Sequence, residues 1–362
     1  MRLVLPPIQT AFLSAVALAF LSSALASGED LLKEFQLHPD CEIELVASEP
    51  NVIDPVAIRF DERGRLWVVE MRDYPTLNAQ FPSSKIKILE DRNRDGFFEF
   101  ATTFADRLLF PTGIQPWKEG VIVTLAGKIV YLGDQDDDGV CDEEKILFEG
   151  FAEKNTQLRA NHPTLGPDGK IYVANGLRNG EIRGPTLTQP LSINGMDFRF
   201  DPNSLECEAV TGYGQFGLTF DAGGNRYTCT NRNPLKRIVI ENEYLRSTKE
   251  FQVSQSVIDV AAAGSESRLY PIGETWTTSN LHANQFTAAC GVHIYNGISL
   301  PKEFKGNAFT CDPTANVVHR EIISFESDKV VGHSRPGRSK IEFLASPNSE
   351  FRPVNLAGGP DG

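Results

Sequence analysis

The sequence is poor in several things, and each shortage narrows the reading. Basic residues are too few to cluster: 35 Lys and Arg stand against 48 Asp and Glu, a formal net charge of -13. That argues against a surface for nucleic acid and otherwise fits solubility. Clean helical periodicity is missing, since no window longer than about ten residues after Glu29 repeats at helical spacing. Cys-X-X-Cys and Cys-X-X-Cys-His are missing, so neither a zinc ribbon nor covalent c-type haem is supported within this chain. Histidine is scarce, with six in 362 residues, so each one is worth placing.

What is present points to a turn-rich β protein. There are 30 glycines and 22 prolines, and the hydrophobic content of 41% is enough for one large core or two modest ones. Residues 1–26 read as a secretory signal. Arg2 is followed by an apolar run from Ile8 to Leu21 and by Ala24-Leu25-Ala26, a small-X-small cleavage pattern. The expectation is export to a periplasmic or extracellular compartment. Six cysteines fit an oxidising compartment. Cys207 with Cys229, and Cys290 with Cys311, flank glycine turns. Cys290 and Cys311 are expected near each other on antiparallel strands, whereas Cys207 lies before its unit's first strand and reaches Cys229 only if the last strand of the preceding blade passes close by. Both pairs are expected as disulfides or as buried thiols, and Cys41 and Cys141 are left over.

A unit of turn and strand recurs. Its clearest copy is RANHPTLGPDGKIYVANG, Arg159 to Gly176, where a Gly-Pro-Asp-Gly turn feeds the strand Ile171 to Ala174. Other copies start at Asp54, Pro111, Gly214, Ala289 (degenerate) and Phe351, with turn glycines at Gly64, Gly120, Gly169, Gly224, Gly306 and Gly362. Units of about 50 residues with four strands' worth of alternation are the signature of propeller blades. The expected fold is an all-β, six-bladed β-propeller over residues 27–362, with an insertion near 247–288. The last blade is incomplete, because the sixth copy stops at its own turn. Either the chain is a fragment or that blade is open, and residues 41–48 could lend one closing strand.

Two acidic hairpins stand between a third and a fourth strand. Asp91, Asn93, Asp95 and Glu99 fit DxNxDGxxE, and Asp134, Asp136, Asp138 and Asp142 fit DxDxDGxxD. Oxygen ligands at alternate positions around a glycine suit calcium. Position twelve is Thr102 or Lys145, so neither is a complete EF-hand loop. Calcium would brace the outer hairpins, and a solvated acidic turn is the alternative.

The mouth of the channel should gather Asn161, His162, Arg178, Asn231, Arg232, His282 and Arg352. His162 and His282 could act as bases near neutral pH, or be satisfied structural histidines. His319 and His333 receive no role.

NHPTLGPDGKIYVANG resembles the segment that carries the catalytic histidine in soluble quinoprotein sugar dehydrogenases, six-bladed propellers that use pyrroloquinoline quinone and calcium. Nearly the whole mature chain also resembles the propeller of the membrane-bound dehydrogenase family of planctomycete- and verrucomicrobium-type bacteria. WVVEMRDYP, GQFGLTFDAGGNRYTCTNRNP, ACGVHIYNG, VVHRE and FRPVNLAGGPDG carry that likeness. In that family helical repeats and a cytochrome c domain often follow.

The resemblance implies His162 as the base that takes a proton from a substrate hydroxyl while hydride moves to the quinone. Asn161, Arg178, Asn231, Arg232, His282 and Arg352 would hold the cofactor. The sugar dehydrogenases place an arginine four residues ahead of the glycine that corresponds to Gly217. Here that residue is Tyr213, which cannot give the same two-pronged cationic contact, and Arg178 or Arg232 would compensate.

The leading reading is an exported dehydrogenase of a sugar or other alcohol, with a cytochrome c as electron acceptor. One alternative is a non-catalytic propeller that binds carbohydrate or a partner. Another is a calcium-dependent hydrolase built on Asp54, Glu70 and Asp312.

Overall fold

The computed structural model describes residues 2–4, 32–75, 81–247, 253–276, 280–325 and 333–362. The expected secretory signal lies outside the described residues except for β1 (Arg2–Val4). Next come β2 (Gln36–Leu37) and β3 (Glu44–Ala47), the latter parallel to β1. Among the described residues no helix is long and apolar enough to cross a membrane.

Five antiparallel sheets then follow one another along the chain. The first is β4 (Pro55–Phe60), β5 (Leu66–Glu70), β6 (Ser84–Glu90) and β7 (Phe100–Leu108). The second is β8 (Gly113–Trp117), β9 (Gly120–Leu125), β10 (Lys128–Gly133) and β11 (Glu143–Glu149). In the third, β12 (Asn161–Leu165) and β13 (Ile171–Ala174) are joined to β16 (Asp197–Phe200) and β17 (Cys207–Val210) through a small hairpin, β14 (Glu181–Ile182) and β15 (Leu191–Ser192). The fourth is β18 (Leu218–Phe220), β19 (Arg226–Thr230), β20 (Asn233–Ile238) and β21 (Val257–Asp259). The fifth holds β22 (Cys290–Ile294), β23 (Ala308–Asp312) and β24 (Val317–Ser324), with β25 (His333–Pro336), β26 (Leu344–Ala345) and β2 outside them. The first strand of each sheet touches the first strand of the next, from β4 through β8, β12 and β18 to β22. Those first strands therefore ring a common axis, and the fold is an all-β propeller.

The packing explains the apolar runs. β9, Gly-Val-Ile-Val-Thr-Leu, is buried at every position. Val121 and Val123 join the core shared with the first sheet, including Trp67 and Phe104, while Ile122 faces Ile171, Phe198 and Phe200 of the third. A strand covered on both faces reads as a continuous apolar run. Five of the six turn glycines take left-handed backbone, among them Gly169 at φ 76° and Gly306 at φ 77°, a region closed to most side chains. The second turn differs, because Lys118 takes the left-handed conformation in place of Gly120.

The expected sixth sheet does not form among the described residues. The space between the fifth and first sheets is filled by two irregular segments. Residues 353–355 run beside Gly291 of β22, and Asn355 reaches β4 by accepting a hydrogen bond from the Ile58 N–H at 3.0 Å. Val46, Ala47 and Val52 cover the open face of the first sheet over Leu66, Val68 and Leu89. The closing strand expected from residues 41–48 is corrected accordingly. Glu44–Ala47 pairs only with β1, and it is Gln36–Leu37 that extends a sheet, the fifth, by pairing with Leu344–Ala345.

All six cysteines are free thiols. Cys290 and Cys311 stand directly opposite in register, as their spacing predicts. Cys207 lies on β17, the last strand of the third sheet, and Cys229 on β19, the second strand of the fourth, and no bond joins them.

Candidate functional site

His162 sits in a one-residue bulge between Asn161 and Thr164, with φ 48°. The matching bulge of the fifth sheet, between Cys290 and His293, carries Gly291 at φ 57°. A histidine thus occupies a backbone position that its sister sheet gives to glycine, and such positions collect at functional sites.

Neighbouring amides fix its ring. Asn161 Nδ2 donates to the Arg159 and Gln215 carbonyls, each at 2.7 Å. Its Oδ1 accepts from the Gly217 N–H at 3.3 Å and faces His162 Nδ1 at 3.1 Å. Since that oxygen can only accept, Nδ1 carries the proton and Nε2 keeps its lone pair. Nε2 then accepts from Asn355 Nδ2 at 2.9 Å. Phe216 packs edge-on against the ring, with centroids 4.7 Å apart. His162 is 3% exposed. Desolvation, and after it the charge of Arg59, pushes its pKa down to about 3, so the ring is neutral at any physiological pH.

Two further residues share this space. Desolvation, then Arg59, pushes His293 on β22 down to about 4. Arg59 on β4 therefore lies within electrostatic reach of both histidines. The three residues lie on β4, β12 and β22, first strands of the first, third and fifth sheets, which ring the common axis. Asn355 bridges Ile58 and His162. The sequence reading did not single out Arg59, His293 or Asn355. The available signals were a lone charge inside the apolar run of β4 and an asparagine inside the sixth repeat.

The other expected mouth residues fall into two groups. Asn231 joins the His162 network, because its N–H donates to Gln215 Oε1 at 2.8 Å. Arg232 stands next in the chain and donates from Nη2 to Gln285 at 2.8 Å, while its Nε is buried without a partner. Arg178 and Arg352 are exposed and bond only to the nearby carbonyls of Leu177 and Ser349. His282 ends a short 3-10 turn. Among the described residues none of these last three is hydrogen-bonded to the His162 network, and none of the three arginines is paired with a carboxylate.

The carboxylates nearby are occupied. Buried Glu70 accepts from Arg72 at 2.6 Å and from the Ile53 N–H at 2.8 Å, with Lys87 at 3.2 Å. Asp312 accepts from Thr314 Oγ1 at 2.6 Å and from the Thr287 and Ala288 N–H groups at 3.1 Å. Both act as loop clamps. His319 is likewise structural, held between Glu342 at 2.6 Å and Glu321 at 3.1 Å, and its pKa is pushed up to about 10.

On the outer hairpins the two acidic loops share one backbone. Asp91 accepts from the Gly96 N–H at 2.8 Å and Asp134 from the Gly139 N–H at 2.9 Å. Carboxylate oxygens of Asp134, Asp136 and Asp138 lie within 4.8 Å of one another. Asp138 and Asp142 raise the pKa of Asp136. In the first loop the Asn93 amide donates to Asp95 instead, at 3.1 Å, and Glu99 accepts from the Arg92 N–H at 3.3 Å.

A family profile described as "Domain of unknown function (DUF7133)" matches residues 27–362. No curated protein matches the sequence. Similar solved structures include the pyrroloquinoline quinone domain of pyranose dehydrogenase from Coprinopsis cinerea, at 13% identity, covering 86% of this chain and 89% of that one with a TM-score of 0.48. A quinone-bound aldose sugar dehydrogenase from Streptomyces coelicolor has 12% identity, 85% and 92% coverage and a TM-score of 0.42. An inactive virginiamycin B lyase from Staphylococcus aureus has 14% identity, 89% and 78% coverage and a TM-score of 0.42.

Proposed function

The chain belongs to the DUF7133 family, whose description names no reaction, and on that premise we propose from the site itself that the protein is a dehydrogenase of a sugar or other alcohol, with His162 as proton acceptor. One observation carries the reading. His162 presents a neutral, acceptor-ready Nε2, its tautomer fixed by Asn161, and among the described residues the partner of that nitrogen is an amide N–H. A substrate hydroxyl is also a hydrogen-bond donor and can take the place of the Asn355 amide. As the alcohol carbon loses its hydride, the hydroxyl proton passes to Nε2. Asn161 then stabilises the orientation of the ring.

Pyrroloquinoline quinone would supply the two-electron acceptor. It is a polyanion, and Arg178, Arg232 and Arg352, expected at the mouth, have no carboxylate partners among the described residues, while Arg232 Nε is buried and unpaired. Those three arginines and Asn231 would hold it, with Tyr213 absent from the set. In the same reading the chain is exported, calcium braces the Asp134 hairpin, a cytochrome c takes the electrons, and the space between the fifth and first sheets is the place of a sixth blade. The hydrolase reading is dropped, because Glu70 and Asp312 already clamp loops.

The test is dye-linked oxidation of a panel of aldoses and alcohols by purified protein loaded with pyrroloquinoline quinone and calcium. His162→Ala is expected to lower kcat by about 10²-fold or more. Unchanged turnover in that variant removes His162 from the reaction. Binding of sugar with no oxidation of any substrate supports the second reading, a binding propeller without turnover. That reading draws on the weak basicity of His162, whose pKa near 3 lies far from the neutral value that suits a base.

A further inference from the structure

Arg59 is a cation on the innermost strand of the first sheet with no carboxylate paired to it among the described residues. Its Nη1 donates to the neighbouring Ile58 carbonyl at 2.9 Å, and Nε and Nη2 have no partner among the described residues. Burial lowers its pKa to about 10. Arg199 and Arg226 are enclosed as well, but each has an acid at hand: Glu208 lies 2.6 Å from Arg199 and Glu241 3.1 Å from Arg226. The titratable groups within its electrostatic reach, His162 and His293, are both held neutral by burial, and Asn355, on the neighbouring segment that binds the Ile58 N–H, is uncharged. A partly desolvated charge without a partner is costly, and a matching anion would offset that cost.

We infer that the channel beside Arg59 is a binding site for a small carboxylate anion, held on the Nε–Nη2 edge of the guanidinium. Two parallel N–H groups on that edge match the two oxygens of a carboxylate, which a spherical anion cannot do. Arg59 is half-buried on β4, so it is not sealed from solvent. The site stands whether or not His162 turns over a substrate, since it needs only the unpaired guanidinium and the neutral groups within its reach.

Calorimetric titration of the full chain at pH 7, with sodium acetate against sodium chloride at fixed ionic strength, tests this. Acetate is expected to bind saturably at one site per chain and to raise Tm with concentration, as a ligand of the folded state does. Arg59→Gln should weaken that binding by at least about tenfold, and Arg59→Lys, which keeps the charge but loses the two-pronged edge, should fall between. If Arg59→Gln does not fold, acetate-dependent shifts of the His293 ring resonances in the wild type serve instead. The proposal is overturned by any of three results: no saturable acetate effect in the wild type, equal binding in folded Arg59→Gln, or chloride acting as well as acetate.

Discussion

The channel and the acidic hairpins solve the same problem in opposite ways. Each holds polar groups close together, one around the axis of the ring and the other on exposed turns. In the hairpins the partners are a few residues apart: Asp91 takes N–H groups from Arg94, Asp95 and Gly96, and Asp134 takes those of Asp138 and Gly139. In the channel the partners are far apart in sequence. His162 and Asn355 are separated by 193 residues, and Ile58 and Asn355 by 297. A hairpin loop therefore completes itself once its own turn forms, whereas the channel is complete only when the ring has closed. Changes in the channel should then be felt by the whole fold and changes in the hairpins by one loop.

Asn355 should show the largest effect. Replacing it by Leu leaves the Ile58 N–H and His162 Nε2 without partners. A buried polar group stripped of its partner costs about 1–3 kcal/mol, so a loss of about 2–4 kcal/mol is expected in urea unfolding. Asn93→Leu, the same change on an exposed hairpin, should cost less than about 0.5 kcal/mol. Equal losses at both sites would erase the distinction between the regions.

The same distinction decides how much could be read beforehand. The first two strands of five blades were legible because each is a local pattern, alternation closed by a glycine turn, with the glycine left-handed in four of the five. The two hairpins were legible for the same reason. His162 was found because it interrupts a repeat. Arg59, His293 and Asn355 were not, because each looks like an ordinary strand or loop residue until the first, third and fifth sheets are set around one axis. The sixth sector escaped as well: its inner segment follows the repeat, but no strand pairs with it among the described residues.

The second effect is on pH dependence, and its sign follows from the lowered pKa values. His162 and His293 have folded-state values near 3 and 4, below the usual 6.5. Between those limits the unfolded chain binds more protons than the folded one, so stability rises with pH from about 4 to 6.5. His162→Gln should remove one proton from that difference and flatten the slope by about 1.4 kcal/mol per pH unit. His319 acts oppositely: its pKa is raised to about 10, so its contribution is full below 6.5 and fades as pH rises towards 10. Measuring on the acid side keeps the two apart. A slope unchanged in His162→Gln would mean that the ring is not held neutral by the fold.

The smallest effect should separate the two hairpins from each other. Their backbones match down to the left-handed residues Arg94 and Asp137 and the glycines Gly96 and Gly139. Their charge does not. The second loop gathers three carboxylates, and mutual repulsion already raises the pKa of Asp136. The first replaces the middle carboxylate with Asn93, whose amide donates to Asp95, and it sets the Arg92 guanidinium 3.3 Å from the centre of the Phe100 ring. A divalent cation relieves repulsion in the second loop but must break an existing hydrogen bond in the first. Calcium is therefore expected to raise Tm by a few degrees through the second loop alone, an effect of about 1–2 kcal/mol at concentrations of ten times Kd or more. Asp136→Ala should abolish the shift between calcium and chelator, Asp95→Ala should leave it intact, and Asn93→Asp should create a second calcium response in the first loop. Thermal scans with calcium and with chelator read all three, and a wild-type curve that ignores the chelator would make both loops plain acidic turns, identical in role as well as in backbone.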